Sequence, residues 1–249
     1  MGIPDTLAAR IIEYVNEFGL SGHLLMLGRQ SWGGSRKGPS ARMLARTIKT
    51  YYPDLTEADF HRGEERFAEP FFERLGFEQV DSLDISDFEG ASIIVDLSQP
   101  VPDQLHGKFD VIYDGGTCEH IFDLPTAYRN IDRMLKVGGV LIGHSPCNNW
   151  INHGFFQICP ETVYGFWEKS MGYELLECRL QPIRPAHAEK AVRTSNPNVT
   201  GKRPRLLGDI PSTPIMLDYA VRKTRPSGQA PQGAYQTDYL EHWQRKNRP

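Results

Sequence analysis

The chain has 249 residues, 39% of them hydrophobic, and a formal net charge of −3. That is enough apolar material for one α/β domain with an insertion. The near balance of charge gives no global field to recruit nucleic acid or an acidic membrane, and no apolar run approaches the roughly 18 residues of a bilayer span.

The amino-terminal MGIPDTLAAR lacks the basic start and apolar centre of a signal peptide, so a cytoplasmic protein is expected. Cys118, Cys147, Cys159 and Cys178 form no Cys-x-x-Cys pair and no zinc-type spacing, and reduced thiols follow as the expectation.

Along the chain, Leu7, Ile11, Ile12, Val15 and Phe18 recur at helical spacing and predict a helix over residues 5–18, ended by Gly19. HLLMLG, residues 23–28, is a short apolar run stopped by glycine and reads as a buried parallel strand. A second helix is predicted over residues 39–51. Glu78–Ile85, Ser92–Leu97 and Phe109–Tyr113 read as the next three strands.

Asp123 can cap a helix with Pro125 in its first turn, and Gly138-Gly139 is expected to end it before a strand at Val140–Gly143. A helix over residues 160–171 and strands at 173–180 and 215–222 complete the core, with residues 182–213 as a long loop or flap. These elements define a domain over residues 1–224, followed by a tail, 225–249, with room for a short helix. In it Tyr235, Tyr239 and Trp243 recur four apart and can dock on the body or on a second subunit, which leaves a homodimer open.

Strands alternating with helices imply a doubly wound, mostly parallel α/β sheet, in which ligands bind beyond the carboxyl ends of the strands. Gly28 ends the first strand and lets a ligand approach the backbone. Asp84, with Ile85, ends the second and can accept both hydroxyls of a ribose. Asp96, with Leu97, ends the third and can accept the amino hydrogens of an adenine. Each alone also reads as a turn residue; the three together are far more specific.

The stretch FDVIYDGGTCEHIFDLPTAYRNIDRMLKVGGVLI, residues 109–142, resembles the block that follows the fourth strand in class I S-adenosylmethionine-dependent methyltransferases. Asp114 and Gly115 match its polar turn, Glu119-His120 its Glu-His pair, and Leu135–Gly139 its Leu-Lys-Pro-Gly-Gly turn, with Val137 in place of proline. The resemblance covers about residues 20–180 and implies a seven-stranded Rossmann-like methyltransferase fold, S-adenosyl-L-methionine as cofactor, and a small-molecule or sugar-like acceptor methylated at oxygen.

The family's Gly-x-Gly-x-Gly loop is replaced by Gly28-Arg29-Gln30-Ser31-Trp32-Gly33-Gly34. Either Arg29 and backbone N–H groups hold the amino-acid carboxylate along a different path, or the chain is a methyltransferase-like binding protein or scaffold without chemistry. Gly28 and Asp84 lie 56 residues apart, against about twenty in the dinucleotide fingerprint. Residues 36–77 therefore read as a helical insertion above the cofactor pocket.

His120 and His153 are the candidate bases or acceptor contacts, since imidazole titrates near neutral pH; a structural role is the competing reading for each. His144 follows the fifth strand and is also noted. No acid/histidine group has metal-ligand spacing, so no metal is expected.

Overall fold

The computed structural model describes residues 2–33, 37–204, 206, 208–228 and 233–239. Helix α1 (Asp5–Glu17) buries Leu7, Ile11, Ile12 and Val15, the residues that set its period. Strand β1 (Gly22–Leu27) follows, then α2 (Pro39–Tyr51), α3 (Glu69–Arg74), β2 (Phe77–Asp84), β3 (Ile93–Ile94) and β4 (Phe109–Asp114). Next come α4 (Leu124–Met134), β5 (Leu135–Asn148), a π-helical segment (Thr162–Ser170), β6 (Glu174–Pro182), β7 (Val192–Arg193), α5 (Pro197–Thr200) and β8 (Ile215–Arg222).

One sheet collects the strands in the order β3-β2-β1-β4-β5-β8-β6-β7. The pairs from β3 through β5 are parallel; β8 runs antiparallel between β5 and β6. The strand order reverses between β1 and β4, which are direct neighbours. This is the Rossmann-like class I methyltransferase arrangement.

Alternation along β1 sorts the core into two layers. Leu24 and Met26 pack with α1, α2, Phe60 and Phe71. Leu25 and Leu27 pack on the other face with Ile131 of α4 and Trp167 of the π-helical segment.

Four expectations change. The sheet has eight strands rather than seven, because Val192–Arg193, inside the segment read as a loop, pairs antiparallel with β6 at Arg179 and Leu180. The third strand shrinks to Ile93–Ile94, so Asp96 lies just past its end.

Helix α4 stops at Met134 instead of at the glycine pair. Leu135, which fits the helical period, is instead in register with Phe109, and sheet pairing overrides local pattern. Gly138 and Gly139 thus lie inside β5. Gly138 takes φ +87°, and a Cβ on Gly139 would stand 2.9 Å from the Asp110 carbonyl oxygen. Finally, the helix expected over 160–171 is wound as a wider π-type turn.

Residues 37–77 hold helices; α2 packs beside α1, while the Ala68 N–H of the same segment donates to the Gln30 carbonyl at 2.9 Å. The described part of the tail lies on its own chain: Thr237 N–H donates to Glu161, and Asp238 accepts from Arg203. Trp243 lies outside the described residues, as do Ser35 and Arg36. Among the described residues no helix is long and apolar enough to cross a membrane.

Candidate functional site

A cavity of about 370 Å³ opens at the carboxyl ends of β1, β2 and β4, where the strand order reverses and where such sheets bind ligands. Its wall includes Gly28, Arg29, Gln30, Asp84, Asp96 and His120.

Gly28 is held at φ +68° while its N–H donates to the Leu83 carbonyl at 2.7 Å. A Cβ there would stand 3.0 Å from Thr117 Oγ1 and 3.2 Å from Gln30 Nε2, so the missing side chain is what lets the loops after β1 and β4 close on each other. Asp84 spends Oδ1 on the Ile85 N–H at 2.7 Å, and Asp96 spends Oδ1 on the Ser98 N–H at 2.8 Å. Ile85 and Leu97 supply apolar wall beside these carboxylates.

Arg29 is engaged within the protein. Its Nε donates to Glu69 at 2.7 Å, one terminal nitrogen donates to the Glu89 carbonyl at 2.8 Å, and the guanidinium lies 3.9 Å over the Phe67 ring. Gln30 turns inward. Its Nε2 donates to the Leu27 carbonyl at 3.0 Å, while its buried Oε1 has no hydrogen-bond donor among the described residues.

Of the residues singled out in the sequence, Gly28, Arg29, Asp84, Ile85, Asp96, Leu97 and His120 share this cavity. Asp114, Gly115, Glu119 and His153 do not line it. Asp114 is buried beneath, accepting the Thr117 N–H at 2.9 Å. Gly115 is placed so that a Cβ would strike the Tyr113 ring at 2.7 Å.

His144 does not line the cavity. It is fully buried opposite Asp218 in the β5–β8 register, with Nε2 3.0 Å from Asp218 Oδ1 and Nδ1 3.1 Å from the Tyr113 hydroxyl. Gln30 also lines the cavity, as do Gly116 and Thr117 of the turn that strand-end logic points to after β4, although none of the three was assigned a cofactor-binding role from the sequence. The clue for Thr117 was its place one residue past the Gly115-Gly116 pair.

Behind His120 sits a second cluster. Glu119 is fully buried, and neither carboxylate oxygen has a hydrogen-bond partner among the described residues. Its Oε1 lies 3.9 Å from His120 Nε2 and 3.7 Å from His153 Nε2. Burial, reinforced by the charge of Asp114, pushes the Glu119 carboxyl up to about 8. Burial and then the neighbouring His153 lower His120 below the usual histidine value, against the opposing pull of Asp114.

The cavity fits the adenosine half of the cofactor that the resemblance implies: two strand-end carboxylates with apolar wall between them suit a ribose and an adenine. The buried, unpartnered Gln30 Oε1 suits an ammonium at the other end.

No family model and no curated protein matches the chain. Solved structures that resemble it include the trans-methyltransferase CalH in complex with SAH, at 14% identity, 88% of this chain, 58% of that one and a TM-score of 0.44. Another is the citrinin polyketide synthase CMeT domain, at 13%, 89%, 52% and 0.42. A third is the 1,6-didemethyltoxoflavin-N1-methyltransferase of Burkholderia thailandensis, at 14%, 89%, 80% and 0.44.

This chain spans little more than half the length of the first two. Strand order, rather than these likenesses, carries the structural assignment: the chain has the Rossmann-like fold of class I methyltransferases.

Proposed function

We propose that this protein is an S-adenosylmethionine-dependent methyltransferase acting on a small-molecule or sugar-like acceptor, at oxygen. The observation that carries the reading is the meeting of Asp84 and Asp96 with Gly28 and His120 around one cavity at the strand-order reversal.

In this reading Asp84 accepts the ribose hydroxyls, and Asp96 accepts the adenine amino group between Ile85 and Leu97. Gln30 Oε1 accepts the ammonium. Bound there, the cofactor supplies an electrophilic methyl on a sulfonium. The work left to the chain is alignment of the acceptor oxygen with that methyl, the main source of rate in a direct displacement. His120, on the cavity wall, and His153 beside it are the groups in reach of the acceptor's proton. The exposed rings of Phe122 and Phe155, 5.5 Å apart, offer an apolar rim on the same loops.

Calorimetry with S-adenosylmethionine and S-adenosylhomocysteine tests the reading. Saturable binding of both is expected, weakened at least about tenfold by Asp84→Ala, since a carboxylate lost from a ribose diol removes charge-assisted hydrogen bonds. Absence of binding to either ligand would leave a scaffold without this chemistry.

A further inference from the structure

We propose that Glu119, His120 and His153 form a binding site for one divalent transition-metal ion, of the zinc, manganese, cobalt or iron(II) class. One ligand atom from each of the three residues lies within 4.8 Å of the others. The two histidine nitrogens stand 3.9 and 3.7 Å from Glu119 Oε1. Those separations are too long for hydrogen bonds. They are close to the spacing of about 3.4 Å between atoms bonded at about 2.1 Å to one tetrahedral ion.

The carboxylate is the independent sign. Glu119 is fully buried with both oxygens unpartnered among the described residues, and His153 Nε2 is also buried without a hydrogen bond. A buried carboxylate and a buried imidazole nitrogen that face each other with no hydrogen bond are a costly arrangement that a cation would relieve, and the exposed His120 faces the same carboxylate.

The backbone is shaped to hold it. The Phe155 N–H donates to the Glu119 carbonyl at 2.9 Å. Gly154 lies so close that a Cβ would meet that same carbonyl at 2.9 Å. Asn149 and Asn152 both take φ +61° to bring the loop round, and such strain persists where surrounding structure enforces it. Trp150, anchored by its Nε1 donating to the Ile215 carbonyl at 2.9 Å, stands 4.8 Å from the His153 ring.

The donor set decides the class of ion. Two imidazoles and one carboxylate suit borderline transition metals, whereas magnesium and calcium favour all-oxygen shells. Three protein ligands leave coordination positions open. His120 is the member that also lines the cavity. Resting on the function proposed above, an open position would take the acceptor's hydroxyl oxygen. With both imidazoles on the ion, the bound O–H would give its proton to water, and the oxygen's electron pair would form the new C–O bond as the methyl–sulfur bond breaks and its electrons leave on sulfur, as neutral S-adenosylhomocysteine.

The test is run on the full chain, stripped with chelator and without nucleoside present. Zn²⁺ is titrated by calorimetry, and Co²⁺ by its visible d–d absorption. One ion per chain is expected. His153→Gln, His120→Gln and Glu119→Gln should each weaken binding at least about tenfold, and His106→Ala, outside the site, should not. Should Glu119→Gln fail to fold, the two histidine variants and the Co²⁺ spectrum of the unaltered protein decide the matter.

Absence of stoichiometric binding, or binding that survives both histidine changes, would overturn the proposal. Ion binding without S-adenosylmethionine binding would leave the metal site standing and sink the methyltransferase reading. The converse would sink only the metal site.

Discussion

Thr117 Oγ1 donates a 2.7 Å hydrogen bond to the carbonyl of Leu27, the last residue of β1. Gln30 Nε2 donates to the same oxygen at 3.0 Å. One carbonyl at the end of β1 therefore ties together the two loops that face each other where the strand order reverses. Thr117→Val keeps the shape and removes the donor. Stability should fall by about 1 kcal/mol, the net value of one hydrogen bond, read as a lower urea midpoint with unchanged slope. Affinity for S-adenosylhomocysteine should fall with it, because the loop after β4 loses its tether.

Gly28 is the other half of that closure. Its φ of +68° and the 3.0 Å approach of Thr117 Oγ1 to where a Cβ would sit both oppose a side chain. Gly28→Ala should cost about 1–2 kcal/mol from the left-handed backbone alone. Calorimetry should show a loss of nucleoside affinity beyond that of Thr117→Val, because the added methyl also pushes on the cavity wall. Equal affinities for the two variants would mean that the close approach does not shape the binding site.

The sequence left open a carboxylate contact for Arg29; in the structure its side chain bonds Glu69 and the Glu89 carbonyl and so acts as a clamp. It pins the turn after β2 to the loop after β1, with its guanidinium over Phe67. Arg29→Ala should lower stability by about 1–3 kcal/mol, the usual range for losing partly buried charge-assisted bonds. It should weaken S-adenosylhomocysteine and 5′-methylthioadenosine by the same factor. A loss confined to the ligand that carries the carboxylate would restore the direct-contact role.

The block Phe109–Ile142 was legible because local signals and tertiary demands coincide there. Phe109, Val111 and Ile112 are apolar and buried, Asp123 caps α4 by accepting the Thr126 N–H, and Pro125 sits in the first turn. Asp84 and Asp96 were legible because a strand end projects its next residues toward the ligand face whatever lies elsewhere in the chain.

The edges were not. Two-residue strands such as Val192–Arg193 carry no period, and the early start of β5 depends on Phe109, 26 residues away, pairing with Leu135. Least legible was the meeting of Glu119 with His153. Glu119 and His120 are adjacent in sequence, but the third member arrives through Gly154, whose bare α-carbon permits the contact. Spacing rules for metal ligands describe sites built on one local motif, and this cluster is built across two loops.

The buried network under β8 offers a test of pH dependence. Asp218 is fully buried. Burial alone would raise its carboxyl, yet the His144 hydrogen bond and charge, with Arg179 and the Tyr14 hydroxyl, hold it below the usual aspartate value. Tyr14 donates to Oδ1 at 2.6 Å, and the Arg179 Nε lies 3.1 Å from Oδ2.

A carboxyl depressed in the folded state contributes stability that is present above the unfolded value, near 3.9, and is lost as pH falls through the folded one. Asp218→Asn should therefore cost about 3 kcal/mol at pH 7, at the low end for a broken buried pair, because Arg179 keeps Glu177 at 3.3 Å and Glu13 at 3.5 Å. The gap to the unaltered protein should narrow in urea unfolding as the pH is taken below about 4, the unfolded aspartate value. An unchanged gap at low pH would assign the cost to packing around the new amide instead of to the lost charge.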